Sequence, residues 1–201
     1  MPFAILVSKR EQTTIRSEPT RLKHEVIRKK MFRVSELSKA TAVVLLAAIT
    51  SAQASNTAYK AREIRKSPVW INATPLTLKA LRGKVVVLDF WAFDCEPCIE
   101  AMPHIRQLQE KYAPAGLVVI GVHTPRAEYE RDVSKLRNAI TRLGIEFPVV
   151  VDEKQKIFRD YLCDLWPSQF VIDRTGLVRY SHGGVGRYDD MEQVVEDLLK
   201  H

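Results

Sequence analysis

The sequence predicts an α/β domain in which a mixed, mostly parallel sheet carries helices on both faces. Three observations predict this fold class. Apolar, β-branched runs of strand length alternate with longer stretches of helical length. Two of the runs are apolar almost throughout, as is typical of strands buried on both faces of a parallel sheet. A hairpin follows late in the chain, and this order of elements indicates helices packed on a largely parallel sheet.

Seven strands are predicted from runs rich in β-branched and aromatic residues that are bounded by turn residues. They cover residues 70–72, 76–78, 85–91, 117–123, 147–151, 169–172 and 177–182. The first two are short, and we assign them to the edge of the sheet. The last two flank the turn at residues 173–176, so we expect them to pair as an antiparallel hairpin.

Four helices are predicted between these strands and after them. They cover residues 95–112, 126–142, 154–162 and 189–199. Pro114 and Gly116 follow the first helix and end it. In the second helix, apolar residues recur at the 3–4 spacing of an amphipathic face, and Gly144 caps its end. The longer helices therefore each present one apolar face to the sheet.

The formal net charge of +7 is concentrated in the first 54 residues. That region holds ten Lys and Arg against four Asp and Glu, whereas residues 55–201 hold 21 against 20. A charge asymmetry of this kind indicates targeting, because the nearly neutral remainder has no basic stripe of the kind that binds nucleic acid. We therefore expect no nucleic-acid partner.

Residues 31–54 have the parts of a secretory signal peptide. A short basic segment precedes the apolar run at residues 40–49, and Ala52 and Ala54 form the small-residue pattern found before a cleavage site. We predict cleavage after Ala54 and a periplasmic or other extracytoplasmic location. The alternative is an uncleaved N-terminal membrane anchor, although the apolar run is shorter than the ~20 residues of a spanning helix.

The remaining boundaries follow from composition. Residues 1–30 are polar and basic and precede a segment that already has a complete signal-peptide pattern from Met31. We interpret them as a dubious extension upstream of the true start or, alternatively, as a disordered extension. Residues 55–69 are polar and charged and are predicted to be a mobile linker. Residues 70–201 then form one domain of ordinary size.

Two cysteines, Cys95 and Cys98, stand where the strand at residues 85–91 gives way to a helix. A helix N-terminus offers unsatisfied N–H groups and the positive end of the macrodipole, and both favour the thiolate that attacks disulfides. The spacing predicts a redox pair with an exposed, attacking Cys95 and a buried, resolving Cys98. The alternatives are a structural disulfide or half of a zinc site, which needs two more ligands. Neither Cys163 nor a histidine stands at zinc-ribbon spacing.

Four features resemble the thioredoxin-like superfamily. The segment Asp89-Phe90-Trp91-Ala92-x-x-Cys95-x-Pro97-Cys98 is similar to the thioredoxin active-site segment. Pro103 stands where the family's active-site helix carries a kinking proline, and Trp166-Pro167 resembles the cis-proline loop. The strand and helix between Gly116 and Val151 are similar to the insertion of the TlpA/ResA-like branch. The run Gly121-Val122-His123-Thr124-Pro125 most resembles the thioredoxin-like domain of DipZ-type proteins.

This resemblance implies a thioredoxin fold with an extra strand and helix between the active-site helix and the cis-proline loop. It also implies an exported thiol:disulfide oxidoreductase that reduces disulfides of periplasmic client proteins, with oxidation of client cysteines as the less favoured alternative. A membrane thiol-electron transporter is the implied reductant, and cytochrome c apoproteins are a possible client class by analogy. The implied protein is a monomer and needs no cofactor and no metal.

The resemblance assigns further roles within the site. Asp89 is a lone carboxyl in an apolar strand, which is costly unless it is hydrogen-bonded or functional. We expect it to act as general acid and base for Cys98; the alternative is a carboxyl satisfied by the backbone or by a lysine. Pro167 is expected to be cis and to face the disulfide.

Four residues are expected to form the client-binding site, Pro167 and the three that follow. The backbone of Trp166 is expected to pair with an extended client segment. Glu96 is expected to contact clients or to tune the thiols, and Trp91 to contact clients or simply to pack. Cys163 is expected to be buried and inert, with an intermolecular bridge as the alternative.

Two other functions remain open at this point. A peroxiredoxin-like peroxidase is one, but it would use a lone peroxidatic cysteine rather than a pair two residues apart. A non-catalytic thioredoxin-fold binding module or copper carrier is the other. The direction of the redox reaction depends on the reduction potential, which spans a wide range among such folds.

Overall fold

The computed structural model describes residues 58–201, and this part of the chain contains a mixed seven-stranded sheet. The predicted extension at residues 1–30 and the predicted signal peptide at residues 31–54 lie outside the described residues. Within residues 58–201, no helix combines the length and the apolar character needed to cross a membrane.

The strands and helices from β3 onward follow the predicted order, whereas the first two strands differ from the prediction. The strands are β1 Tyr59–Lys60, β2 Trp70–Ile71, β3 Val85–Trp91, β4 Leu117–His123, β5 Val149–Val151, β6 Ser168–Ile172 and β7 Leu177–Gly183. The α-helices are α1 Glu96–Tyr112, α2 Val133–Arg142, α3 Lys156–Asp160 and α4 Tyr188–Lys200, with 3₁₀ turns at Ala113–Ala115 and Glu128–Arg131. The strand order across the sheet is β1-β7-β6-β3-β4-β5-β2.

The sheet confirms the predicted mixed α/β fold class, but the expectation that it is mostly parallel was wrong, because four of the six strand pairs within residues 58–201 are antiparallel. Strand β3 runs parallel to β4, and β4 runs parallel to β5, whereas β6 pairs with β3 and with β7 in antiparallel fashion. The bounds of β3 and β4 agree with the prediction because both runs are apolar, β-branched and buried almost throughout. Strand β4, α2 and β5 lie between α1 and the Trp166-Pro167 loop, where the extra strand and helix were predicted.

Alternation along β3 divides the core into two clusters. Val85, Val87 and Trp91 belong to a cluster on one face that contains Cys95, Cys98 and the buried faces of α1, α2 and α4. Residues 86, 88 and 90 belong to a second cluster on the other face, which includes the apolar side chains of α3. We call these the cysteine-side core and the opposite core. Any β3 residue in phase with Val87 therefore lies on the same face as the cysteines.

The predicted helix at residues 126–142 is interrupted at Asp132. This residue separates the 3₁₀ turn at Glu128–Arg131 from α2 and has extended backbone angles (φ −68°, ψ 106°). Its carboxylate accepts hydrogen bonds from two backbone N–H groups in the first turn of α2, at 2.8 and 3.2 Å. An N-cap of this kind starts a new helix, so the prediction of one continuous helix was wrong.

Residues 76–78, predicted as an edge strand, form no strand, and a turn begins at Leu78. The Glu63 carboxylate accepts hydrogen bonds from the backbone N–H groups of Leu78 (2.6 Å) and Lys79 (3.1 Å). Because these N–H groups are bonded to the Glu63 side chain, they do not pair with a neighbouring strand. The side chain of Leu78 is nevertheless buried in the opposite core.

The segment predicted as a mobile linker is packed on the domain from Tyr59 onward. Tyr59–Lys60 forms β1 and pairs with β7, and Ile64 is buried in the opposite core. The hydroxyl of Ser67 donates to the carbonyl of Val151 at 2.7 Å. The linker prediction therefore fails for residues 59–69, because a few tertiary contacts order a segment whose composition is polar.

Candidate active site

Cys95 and Cys98 form a disulfide between the end of β3 and the first turn of α1. Their sulfurs are 2.09 Å apart and their Cα atoms 5.2 Å apart. Cys95 has extended backbone angles and is the N-cap of α1, with Pro97 in the first turn. The carbonyl of Cys95 accepts the N–H of Ile99 at 3.0 Å, so the helix begins directly at the disulfide. Both sulfurs therefore lie at the positive end of a long helix.

The exposure of the two cysteines differs from the prediction for Cys95. Cys98 is 1% exposed, as expected, but Cys95 is 0% exposed rather than accessible. In this oxidised form the Cys95 sulfur is bonded to Cys98 and the residue packs in the cysteine-side core. Its neighbours Asp94, Glu96 and Pro97 are exposed and form the outer rim of the site.

Asp89 lies on the same face of the sheet as the disulfide. It is in phase with Val87 and Trp91, which belong to the cysteine-side core, and it is 1% exposed. Burial raises the pKa of Asp89 from its ordinary value of 3.8 to about 7, although a hydrogen bond from Gln169 opposes this rise. A carboxyl with a pKa near neutrality can both accept and release a proton under ordinary conditions.

The partner of Asp89 is Gln169, a residue to which the sequence analysis assigned no role. Gln169 stands directly opposite Asp89 in the β3–β6 register, and its Nε2 donates to Oδ1 of Asp89 at 3.0 Å. Gln169 is itself 1% exposed. The available signal was an amide inside the otherwise apolar run that follows Pro167, but its meaning depends on the strand register.

Trp91 is a core residue and does not contribute to a client surface. It is 0% exposed, and its ring lies edge-on to that of His123, with centroids 5.4 Å apart. His123 is also stacked on Phe93 at 5.7 Å, and burial lowers its pKa to about 3. The prediction that Trp91 contacts clients is therefore wrong for this structure, because packing at the end of β3 and β4 encloses the indole.

Gly121 makes room for Trp91. A Cβ atom at Gly121 would lie 3.0 Å from Nε1 of Trp91 and 3.1 Å from Cε2 of Phe147. Gly121 pairs with Asp89 in the β3–β4 register. Because Gly121 has no side chain, the indole of Trp91 can lie against the β4 backbone at this position. A close approach of this kind is a common reason for a glycine in a strand.

The loop that precedes β6 carries the Trp166–Pro167 peptide bond, which is cis. The Trp166 side chain is held from two sides. Its ring stacks on Phe158 of α3 with centroids 4.2 Å apart, and its Nε1 donates to the carbonyl of Thr124 at 3.1 Å. Trp166 packs against both cores, so it joins this loop to the segment that follows β4.

The loop before Cys95 is held by a second group that the sequence analysis did not single out. The guanidinium of Arg126 donates to the Asp94 carbonyl at 2.7 Å, and the hydroxyl of Tyr129 donates to Oδ2 of Asp94 at 2.6 Å. Glu130 is buried and accepts hydrogen bonds from the backbone N–H groups of residues 126 and 127. We call Arg126, Tyr129 and Glu130 the Asp94 clamp.

Cys163, the third cysteine, and the possible metal ligands lie in the rest of the domain. Cys163 packs against the opposite core, away from the disulfide, and burial raises the pKa of its thiol to about 12. Such a thiol is protonated and unreactive at neutral pH. Within residues 58–201, no group of three or more His, Cys, Asp or Glu side chains is arranged to hold a metal ion.

Comparison with known proteins places this geometry in a family. The model of the AhpC/TSA family matches residues 60–181. The chain is 39% identical to protein DipZ of Mycobacterium bovis over 133 residues, which cover 65% of this chain and 19% of DipZ. It is 36% identical to the thiol-disulfide oxidoreductase ResA of Bacillus anthracis over 103 residues, which cover 51% of this chain and 57% of ResA. The chain thus spans about a fifth of the length of DipZ.

Solved structures lead to the same group. A crystal structure of a thioredoxin-like superfamily protein has a TM-score of 0.65 and 28% identity, over 71% of this chain and 97% of that one. A solution structure of a thioredoxin-like protein in its oxidised form has a TM-score of 0.65 and 27% identity, over 72% and 97%. The predicted thioredoxin-like fold is therefore confirmed. The chain belongs to the AhpC/TSA family of thioredoxin-like proteins.

Proposed function

We propose that this domain is a thiol–disulfide oxidoreductase that exchanges electrons with protein clients through Cys95 and Cys98. The observation that carries the proposal is the disulfide at the N-terminus of α1 with a buried carboxyl, Asp89, on the same face of the sheet. The relatives support it, since ResA is named a thiol-disulfide oxidoreductase. DipZ and the solved neighbours share the same type of domain.

The proposed reaction has two exchange steps. The Cys95 thiolate attacks one sulfur of a client disulfide, a Cys95–client bond forms, and the other client sulfur leaves as a thiolate that takes up a proton. The deprotonated Cys98 then attacks Cys95, which forms the Cys95–Cys98 disulfide and releases the second client sulfur, again as a thiolate that is protonated. Two electrons pass from the domain to the client, and the reverse sequence oxidises a client.

Asp89 is the proposed proton acceptor for Cys98. Cys98 is buried, so its proton must leave through the protein rather than directly to solvent. Asp89 is buried on the same face, and its pKa of about 7 allows it to take that proton and pass it on. Replacing Asp89 with asparagine should remove a pH dependence from the exchange rate. An Asp89→Asn variant with the wild-type pH profile would contradict this role.

Clients are proposed to bind beside the rim of the site. An extended client segment would pair with the backbone at Trp166, next to Pro167, while Glu96 contacts its charged groups. The side chain of Trp166 stacks on Phe158 and donates to the carbonyl of Thr124, so it fixes the position of the loop and does not contact the client.

The cellular setting completes the proposal. The pattern at residues 31–54 supports export to the periplasm or another extracytoplasmic compartment, where a membrane thiol-electron transporter would reduce the monomeric protein. Reduction of client disulfides, including those of cytochrome c apoproteins before haem attachment, is the proposed direction. Cleavage of the leader is tested by the N-terminal sequence of the exported protein.

The decisive experiment is reduction of insulin disulfides with dithiothreitol as the electron source. We expect wild-type protein to accelerate insulin precipitation and Cys95→Ser to abolish the effect. Cys163→Ser is the matched control, because it removes a thiol outside the pair, and it should retain activity. Thiol-dependent consumption of hydrogen peroxide without insulin reduction would instead identify a peroxidase. Absence of both activities would favour a binding module or copper carrier.

A further inference from the structure

The peptide group between Asp94 and Cys95 accepts a hydrogen bond from a charged side chain. Its carbonyl belongs to Asp94 and accepts a hydrogen bond from Nη2 of Arg126 at 2.7 Å. Asp94 directly precedes Cys95, so this guanidinium is bonded to the peptide group that leads into the residue whose sulfur is the proposed nucleophile. The Arg126 side chain is 37% exposed, so its charge is partly shielded by solvent but not buried.

The rest of the Asp94 clamp fixes the position of Arg126. Glu130 has no exposed side-chain surface, and its carboxylate accepts the backbone N–H groups of Arg126 and Ala127, the latter at 3.2 Å. Tyr129, in the same 3₁₀ turn, donates to the Asp94 carboxylate, and this hydrogen bond is the main reason that the pKa of Tyr129 is raised. The carbonyl and the carboxylate of Asp94 are thus hydrogen-bonded to two residues of the segment at 126–129.

The charges around Cys95 give this contact a chemical consequence. Asp94 and Glu96 flank the thiol in sequence, are both exposed, and as carboxylates oppose formation of a second negative charge between them. Glu130 lies 3.6 Å from the guanidinium of Arg126 and offsets part of its charge. Arg126 is the clamp's only cation, and it contacts the backbone next to the sulfur rather than the carboxylates of the rim.

We propose that Arg126 is a positioning residue for the nucleophile: through the Asp94 carbonyl it holds the loop and places a positive charge that stabilises the Cys95 thiolate. This inference rests on the proposed function and adds to it a second charged group besides Asp89. Arg126 acts on the attacking thiol from the rim, whereas Asp89 is buried on the face of the sheet that carries the disulfide. It takes no part in bond making or proton transfer.

The test is the pH dependence of Cys95 alkylation by iodoacetamide in the full chain. In a Cys98→Ser, Cys163→Ser background, Cys95 is the remaining thiol of the three cysteines. A single charge at short range across partly exposed protein changes a thiol pKa by about half a unit to one unit. We therefore expect Arg126→Gln to slow alkylation about three- to tenfold at pH values below the midpoint. Arg126→Lys, which keeps the charge, should remain close to wild type.

Arg131→Gln is the matched control, because Arg131 ends the 3₁₀ turn that follows Arg126 and its guanidinium also donates to a carbonyl, that of Glu153. It should leave the midpoint unchanged. An unchanged midpoint in Arg126→Gln, or an equal rise in Arg126→Gln and either of the other two variants, would overturn the proposal. The measurement needs no client, so a protein inactive toward insulin but with the expected midpoints would refute the proposed function and not the role of Arg126.

Discussion

Replacing Asp89 with asparagine should stabilise the oxidised protein at neutral and alkaline pH and leave its stability almost unchanged at about pH 4. Asparagine has the same shape, and its Oδ1 can still accept the hydrogen bond that Gln169 donates. The substitution therefore removes the titrating group without opening a cavity. The neutral side chain avoids the cost of burying a carboxylate.

The magnitude follows from the difference in pKa between the folded and unfolded chain. A rise from 3.8 to about 7 for this fully buried group corresponds to about 4 kcal/mol. Because the folded state binds more protons between these values, the stability of the wild-type protein falls as pH rises through this window. Above about pH 7 the group is ionised in both states, and the penalty is constant.

Urea denaturation of both proteins with the disulfide intact measures this difference. We expect the free energy of unfolding of Asp89→Asn to exceed that of wild type by about 3 to 4 kcal/mol at about pH 8, a shift of roughly 2 M in the urea midpoint. All other titrating groups are common to both proteins and cancel. A difference that does not change between about pH 4 and pH 8 would refute the assignment of a raised pKa to Asp89.

Three further substitutions test the surrounding geometry. Gln169→Leu removes a donor that lowers the pKa of Asp89, so the carboxyl should titrate above about 7 when followed by carbon-13 NMR; an unchanged titration would contradict the pairing. Gly121→Ala brings a Cβ within 3.0 Å of Nε1 of Trp91 and should cost about 1–3 kcal/mol in urea denaturation. Asp132→Ala removes the N-cap of α2 and should cost about 1 kcal/mol, whereas Asp132→Asn should retain most of the capping.

The parts of the fold that were predictable are those determined by local pattern. Strands β3 and β4 were predicted with their observed bounds because their apolar runs are continuous. The position of the disulfide was predictable for the same reason, since the end of β3 and the start of α1 lie only a few residues apart. The late hairpin was also predictable, because a short turn leaves two adjacent strands little choice but to pair.

The parts that were not predictable depend on contacts distant in sequence or on a single capping side chain. The polar composition of residues 59–69 gave no sign that Ile64 is buried or that β1 pairs with β7. Asp132 breaks a helical pattern that is otherwise continuous, and its effect comes from one carboxylate. Gln169 acquires its role only through the register that places it opposite Asp89, 80 residues away.

The two proposals together give each thiol its own charged group. Arg126 lies at the exposed rim and is always positive, so it favours the Cys95 thiolate at every ordinary pH. Asp89 is buried and changes its charge near neutrality, so when ionised it opposes a Cys98 thiolate, and it is the proposed acceptor of the Cys98 proton in the second exchange step. In this scheme Cys95 ionises first, and Cys98 ionises only when its proton is transferred to Asp89. Loss of Arg126 should therefore slow the first exchange step, and loss of Asp89 the second.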